Sequence, residues 1–197
     1  MKIVDYRGIR GLVAAELLTD DADGVTYDTP FAVAGVSSLS KSTETSSATK
    51  YYDNAPAIVI SAAGGDEVSI EASAIPEDVL AKLMGEYYDE ETGMYVEGEP
   101  ENKYFAIGYI TEKTDGTEMY VWRLKGQFSY PETEHNTKDD GTDSTGSSIT
   151  FTGISTQHKF TKNGGPAKAV NVAAAKYTAG EAAFFAEVQT PDTVGAA

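Results

Sequence analysis

The chain has no cysteine among its 197 residues, which excludes disulfides, thiolate-bound metal and cysteine nucleophiles together. Histidine is nearly as scarce. His135 stands in an acidic stretch and His158 near the end of a strand pattern, and neither has a second strong metal ligand at a useful spacing. Basic residues are few: 15 Lys and Arg face 31 Asp and Glu, for a net charge of −16. Gripping nucleic acid takes clustered cations that displace counterions, and no basic run occurs. DNA binding is therefore disfavoured, whereas letting DNA pass without holding it is not. The acidity also fits an abundant protein that must stay dissolved. Long apolar runs are missing as well. No window approaches the roughly 18 uncharged apolar residues of a membrane span, and charges interrupt the stretch from Met1 to Leu12, unlike a signal peptide. The expectation is a soluble protein, made in the cytosol, without membrane contact.

Catalytic patterns are missing too. There is no Gly-x-Ser-x-Gly elbow, no phosphate-binding Gly-rich loop with its Lys and no dinucleotide fingerprint. Adjacent acids such as Glu90-Glu91 are what an acid-rich composition supplies in any case. Two acidic loops, Asp20 to Gly24 and Asp139 to Asp143, invite calcium, but the ligand register fails. Counting back from Gly24 puts Thr19 at the first ligand position and Pro30 at the bidentate one, and Gly141 comes too early. No enzyme activity and no cofactor are expected.

What the chain does contain is β patterning over a length suited to one domain, residues 1–197, with mobile extensions. Leu12 to Leu18 reads as a short helix or strand ending in an acidic turn. Ser37 to Lys50 offers almost nothing to bury and reads as an exposed loop or arm, about 37–50. Ala57 to Ile60 and Val68 to Ala72 bracket the turn signal Gly64-Gly65-Asp66, which reads as a hairpin. Pro76 to Gly85 carries the helix signal: Pro at the start, acids in the first turn, a Val79, Leu80, Leu83 and Met84 stripe, and a glycine stop. Short edge strands are expected between Tyr87 and Pro100, turning at Glu91-Thr92-Gly93.

The firmest hairpin pairs Lys103 to Thr111 with Glu118 to Lys125 through Thr114-Asp115-Gly116-Thr117. A solvated loop over about 133–148 then leads to a strand from Ser148 to Ser155, in which Gly153 suggests a bulge. An Ala-rich C-terminal extension, about 163–197, completes the chain.

The order of several segments resembles the major tail protein, or tail tube protein, of long, non-contractile-tailed phages. These are Gly8-Ile9-Arg10-Gly11-Leu12 with Glu16, Tyr51-Tyr52-Asp53-Asn54, the Pro76–Gly85 helix, Phe105 to Tyr109, Val121 to Phe128, and Phe184 to Asp192. The resemblance implies a mainly β fold, a two-sheet sandwich or barrel-like body with one short flanking α-helix and long loops. It implies six copies per ring and stacked rings forming a hollow conduit through which DNA passes without specific binding. Implied partners are further copies of the chain and the tail tip initiator, tape measure and tail terminator proteins. It also implies a long loop reaching the adjacent ring, here with candidate residues Leu39, Lys41, Glu44 and Lys50. Tyr51, Tyr52, Asp53 and Asn54 read either as a subunit contact or as a strand start. Phe184, Phe185 and Val188 read either as subunit contact or as core. The alternatives are a carbohydrate- or surface-binding β-sandwich, with Tyr87, Tyr88, Tyr95 and Trp122 as stacking candidates, or a secretion-system tube protein of similar fold.

Overall fold

A computed structural model describes residues 3–137 and 145–195. The strands in chain order are β1 (Tyr6–Asp20), β2 (Val25–Tyr27), β3 (Phe31–Ala32), β4 (Val36–Tyr52), β5 (Ala55–Ala72), β6 (Tyr87–Asp89), β7 (Met94–Val96), β8 (Phe105–Lys113), β9 (Glu118–Phe128), β10 (Glu132–Thr133), β11 (Ser147–Gly153) and β12 (Ala169–Ala173). Helices α1 (Glu77–Met84) and α2 (Gly180–Phe185) and a single 3-10 turn at Ala174–Lys176 complete the set.

Ten strands form one antiparallel sheet along the path β2-β1-β8-β9-β11-β5-β4, with β3 on β1, β10 on β11 and β12 on β9; β6 and β7 form a separate hairpin. The protein is thus mainly β, with two sheets and a short flanking helix, and not a closed barrel. Residues Leu12 to Leu18 lie within strand β1.

Strands β8 and β9 are buried on both faces, which is why they read as near-continuous apolar runs. Alternate residues sort cleanly. Phe105, Ile107, Tyr109 and Val121 enter an inner cluster with Val68, Ile70, Ile149 and Phe151. Ala106, Ile110, Tyr120, Trp122 and Leu124 enter an outer cluster with Phe160, Phe184 and Val188. Helix α1 closes the inner side with Val79, Leu83 and Met84. Its Pro76 is one residue earlier than expected, at the N-cap, and Gly85 ends it in the left-handed region at φ 70.

The outer cluster needs the C-terminal segment. Residues 169–173 pair with β9, α2 lays Phe184 on Tyr120, and the Trp122 indole N–H donates to the Phe184 carbonyl at 3.1 Å. Arg10 clamps the helix to β1 through Glu181, at 2.7 and 2.8 Å.

The turn expected at Gly64-Gly65-Asp66 does not form, and of the two readings of 37–50, loop or arm, the structure has a strand that runs out into an arm: both segments belong to a single long hairpin of β4 and β5, closed at Asp53 and Asn54, whose φ values are 49 and 62. That pair supplies the two positive-φ residues of a type I′ turn. Gly65 answers to crowding instead, since a Cβ there would stand 3.2 Å from the Gly153 carbonyl. Nor is Gly153 a bulge; it pairs in regular register with Asp66 and Gly126. The 133–148 stretch is partly strand, with Thr133 paired to Ser147; the 139–143 acidic cluster lies outside the described residues.

Gly126 is a close approach in the inner core, where a Cβ would stand 2.4 Å from Phe151 Cζ and 2.5 Å from the Thr152 carbonyl. Gly126→Ala should cost about 1–3 kcal/mol by overpacking, read as a lower urea midpoint. Gly98→Ala, with nothing within 4 Å of its Cβ, should leave the midpoint unchanged.

Candidate assembly surface

The β4–β5 hairpin is two structures in one. Over its proximal half, Leu39, Val68 and Ile70 point to the inner cluster. Beyond Thr43 and Asp66 the ribbon leaves the body, and every residue from Glu44 to Gly64 is exposed. At about 3.3 Å per residue, the ten steps from Thr43 to Asp53 project roughly 33 Å. Among the described residues, no hydrogen bond or ion pair ties 45–63 to the body. Yet the ribbon is not polar throughout: Ile58, Val59 and Ile60 are 49%, 66% and 54% exposed, and Tyr51 and Tyr52 at the tip are 67% and 61% exposed. Consecutive apolar residues on a two-stranded ribbon lie on both of its faces.

The departure point is fixed by a buried ionic cluster. Arg123 Nη1 donates to Asp66 Oδ2 at 2.7 Å, and Thr43 Oγ1 donates to Asp66 Oδ1 at 2.8 Å. Arg123 Nε also donates to the Tyr109 hydroxyl at 3.2 Å. Lys168 Nζ lies 3.6 Å from Asp66 and donates to the Gly64 carbonyl. Burial alone would raise the Asp66 carboxyl, but the Thr43 hydroxyl and the charges of Arg123, Lys168 and Lys41 outweigh it and hold the pKa below the ordinary range. Just past this cluster the register shifts between Thr43 and Thr45, a bulge that bends the ribbon as it leaves.

The sequence-derived candidates fall into three places. Tyr51, Tyr52, Asp53 and Asn54 form the exposed tip, so the strand-start alternative with packed tyrosines does not hold. The arm set divides: Lys50 lies on the free ribbon and Glu44 at its root, whereas Leu39 and Lys41 belong to the body, Leu39 packed on the inner cluster. Of the two readings offered for Phe184, Phe185 and Val188, core or subunit contact, the structure shows the core one within the chain: all three pack in the outer cluster, Phe184 fully buried and Phe185 half-buried. The exposed apolar run Ile58, Val59 and Ile60 is not among the sequence-derived surface candidates. The sequence carries a signal for them: three β-branched residues beside a strand of Ser and Thr with no apolar complement.

The carbohydrate-binding alternative loses two of its four aromatic candidates, Trp122 and Tyr95, while Tyr87 stays 61% exposed and Tyr88 half-buried. Trp122 has no exposed surface, and the hydroxyl of Tyr95 donates to Glu86 within the small β6–β7 hairpin, where Tyr130 reaches the same carboxylate at 2.5 Å. Among the described residues, no group of three or more His, Cys, Asp or Glu side chains could hold a metal ion.

The β body thus carries an arm of some twenty exposed residues that, over 45–63 and among the described residues, makes no polar contact with the body. Residues 16–191 match the family described as phage tail tube protein, and the chain belongs to that family. It is a structural, non-enzymatic protein of the virion tail. No curated protein matches the chain.

The Asp66 cluster makes stability pH-dependent. Because the folded-state pKa lies below the ordinary 3.8, this contribution is complete above that value and lost as pH falls through the lower folded value. Asp66→Asn should remove about 3–5 kcal/mol at neutral pH by leaving Arg123 buried without its carboxylate. It should also flatten the decline of unfolding free energy below about pH 4, read by urea titration across pH 2–7 buffers.

Proposed function

We propose that copies of this chain close into rings, six to a ring, and that the rings stack into the tube of a long non-contractile tail through which the genome is delivered. The exposed β4–β5 arm is the observation that carries this reading: its apolar residues stay exposed among the described residues, and its reach of roughly 33 Å spans the thickness of a small domain. The arm is the inter-ring contact, and its apolar residues are covered by the neighbouring ring. A tail tip initiator, a tape measure protein and a tail terminator complete the assembly as the partners the family resemblance implies.

A second feature supports a conduit. Register and period-two alternation set three rows on the outward face of β4, β5 and β11: Ser38, Glu71 and Ser148; Ser40, Ser69 and Thr150; Ser42, Glu67 and Thr152. All nine are Ser, Thr or Glu, and none is a cation. Such a face offers phosphate no counter-charge, so in the bore it lets DNA slide.

Electron microscopy of the concentrated protein, with light scattering for mass, tests the assembly; hollow tubes are expected, and a persistent monomer would overturn it. Replacing residues 45–63 with a two-residue turn should leave a folded monomer of near-unchanged melting temperature that forms no tubes. In limited proteolysis the arm should be cut in the monomer and protected in the tube, and equal cleavage in both would sink its role as a contact. Glu67→Lys with Glu71→Lys should leave tube formation intact while slowing DNA ejection from assembled particles.

A further inference from the structure

The clefts of this acidic protein differ in charge. Three of them are lined in part by carboxylates, such as Asp28 and Asp192 in one, Glu101 in another, and Glu71 and Glu132 in a third. The cleft between β1 and β4, about 740 Å³, has none: its charged side chains are Arg7, Lys41 and Arg123, set among apolar walls that include Ile9, Leu39 and Val121. Arg123 is already committed to Asp66, but among the described residues Arg7 and Lys41 make no ion pair within 4 Å. In a chain of net charge −16, a cleft whose lining carries cations and no carboxylate favours an anionic occupant with apolar or aromatic surface.

We infer that the occupant is the arm tip of a second copy, with Tyr51 and Tyr52 entering against the apolar wall and Asp53 meeting Arg7 and Lys41. Both tip tyrosines are exposed and without a ring partner among the described residues, and Asp53 sits at the apex of the turn with no ion-pair partner among those residues. A cation beside a tyrosine ring adds to the pairing. The geometry also accounts for growth. The cleft lies at the root of the arm, since Lys41 precedes the departure point at Thr43 by two residues. An arm whose tip enters the root cleft of the next copy makes a contact between unlike surfaces, which does not close on itself and repeats along the arm direction. Two cations without an ion-pair partner within 4 Å among the described residues, Lys41 held by a hydrogen bond to Thr43 Oγ1 at 2.8 Å, suit one carboxylate better than a length of DNA, whose binding takes many phosphate contacts.

This inference rests on the tube reading and is tested apart from it. Lys41 and Asp53 are twelve residues apart along one extended strand pair, so roughly 40 Å separates them within a chain. A zero-length carbodiimide bond between the Lys41 amine and the Asp53 carboxylate can therefore form only between copies. Assembled wild-type tubes should yield that cross-linked peptide by mass spectrometry, and the monomer should not. Asp53→Lys should reduce tube yield at least tenfold, and adding Arg7→Glu with Lys41→Glu should restore it. Tubes that form without the cross-link, or an Asp53→Lys variant that assembles as the wild type does, overturn the cleft assignment and leave the tube reading standing. If the cross-link is replaced by protection of Arg7 and Lys41 on adding duplex DNA, the occupant is nucleic acid and the inference falls. A wild-type protein that forms no tubes overturns both.

Discussion

The Asp66–Arg123 pair is the constraint on which the shape of the molecule turns, because it lies where one continuous strand stops being core and becomes a free ribbon. Strand β5 runs eighteen residues, from Ala55 to Ala72, yet only its last third is pinned by hydrophobic contact. Without an anchor at that boundary, a ribbon projecting about 33 Å would pry at the β5–β11 ladder with every thermal fluctuation. A buried ion pair alone is weak as a source of stability. This one is embedded in further bonds: Thr43 from the partner strand, Tyr109 from β8 and Lys168 from the segment before β12. The gain is registration, since the same carboxylate ties four segments to one point and fixes the angle at which the arm departs. Arg123 can serve there because β9 is covered on both faces, which leaves its guanidinium little competing water.

That double coverage has its own requirement. A ladder of β1, β8 and β9 with apolar residues on both faces is stable only if something lies on each side. Helix α1 and the curl of the sheet provide one layer, and the C-terminal segment provides the other through Phe160, Phe184 and Val188. The chain end is thus a structural layer of the body. A second buried carboxylate fastens the entry to that layer: Asp20, at the end of β1, pairs with Lys125 at 2.7 Å and accepts the backbone N–H groups of Gln157 and His158.

These contrasts explain which parts of the fold were legible in the sequence. Elements that bury a face announced themselves. The β8–β9 hairpin, the α1 stripe with its glycine stop, the small β6–β7 hairpin and the alternation of Val68 and Ile70 all carry the period their burial demands. The arm did not, because a strand that buries nothing leaves no periodic trace, and Ser, Thr and Lys are also the vocabulary of loops. Glycine misled for a related reason: Gly64-Gly65 looks like a turn, but its small size serves a close approach to the Gly153 carbonyl. The tip tyrosines were legible as a surface; the cleft between β1 and β4 was not, because it joins residues more than thirty positions apart.

An arm with two open edges is a hazard for a protein that must accumulate before it assembles, since unpaired strands recruit any other strand. The distribution of residues along it limits that hazard. Strand β4 is Ser, Thr and Lys nearly throughout, Pro56 removes a donor beside the tip, and the apolar run is held to Ile58, Val59 and Ile60. Net charge adds long-range repulsion between monomers. At physiological salt this repulsion fades within about 8 Å, so it slows chance encounters without opposing a contact already seated. On the proposed reading, an acidic chain with a few apolar residues at the end of a long lever would stay apart from its copies at random orientations and join them only when the arm is aligned with a surface that covers it.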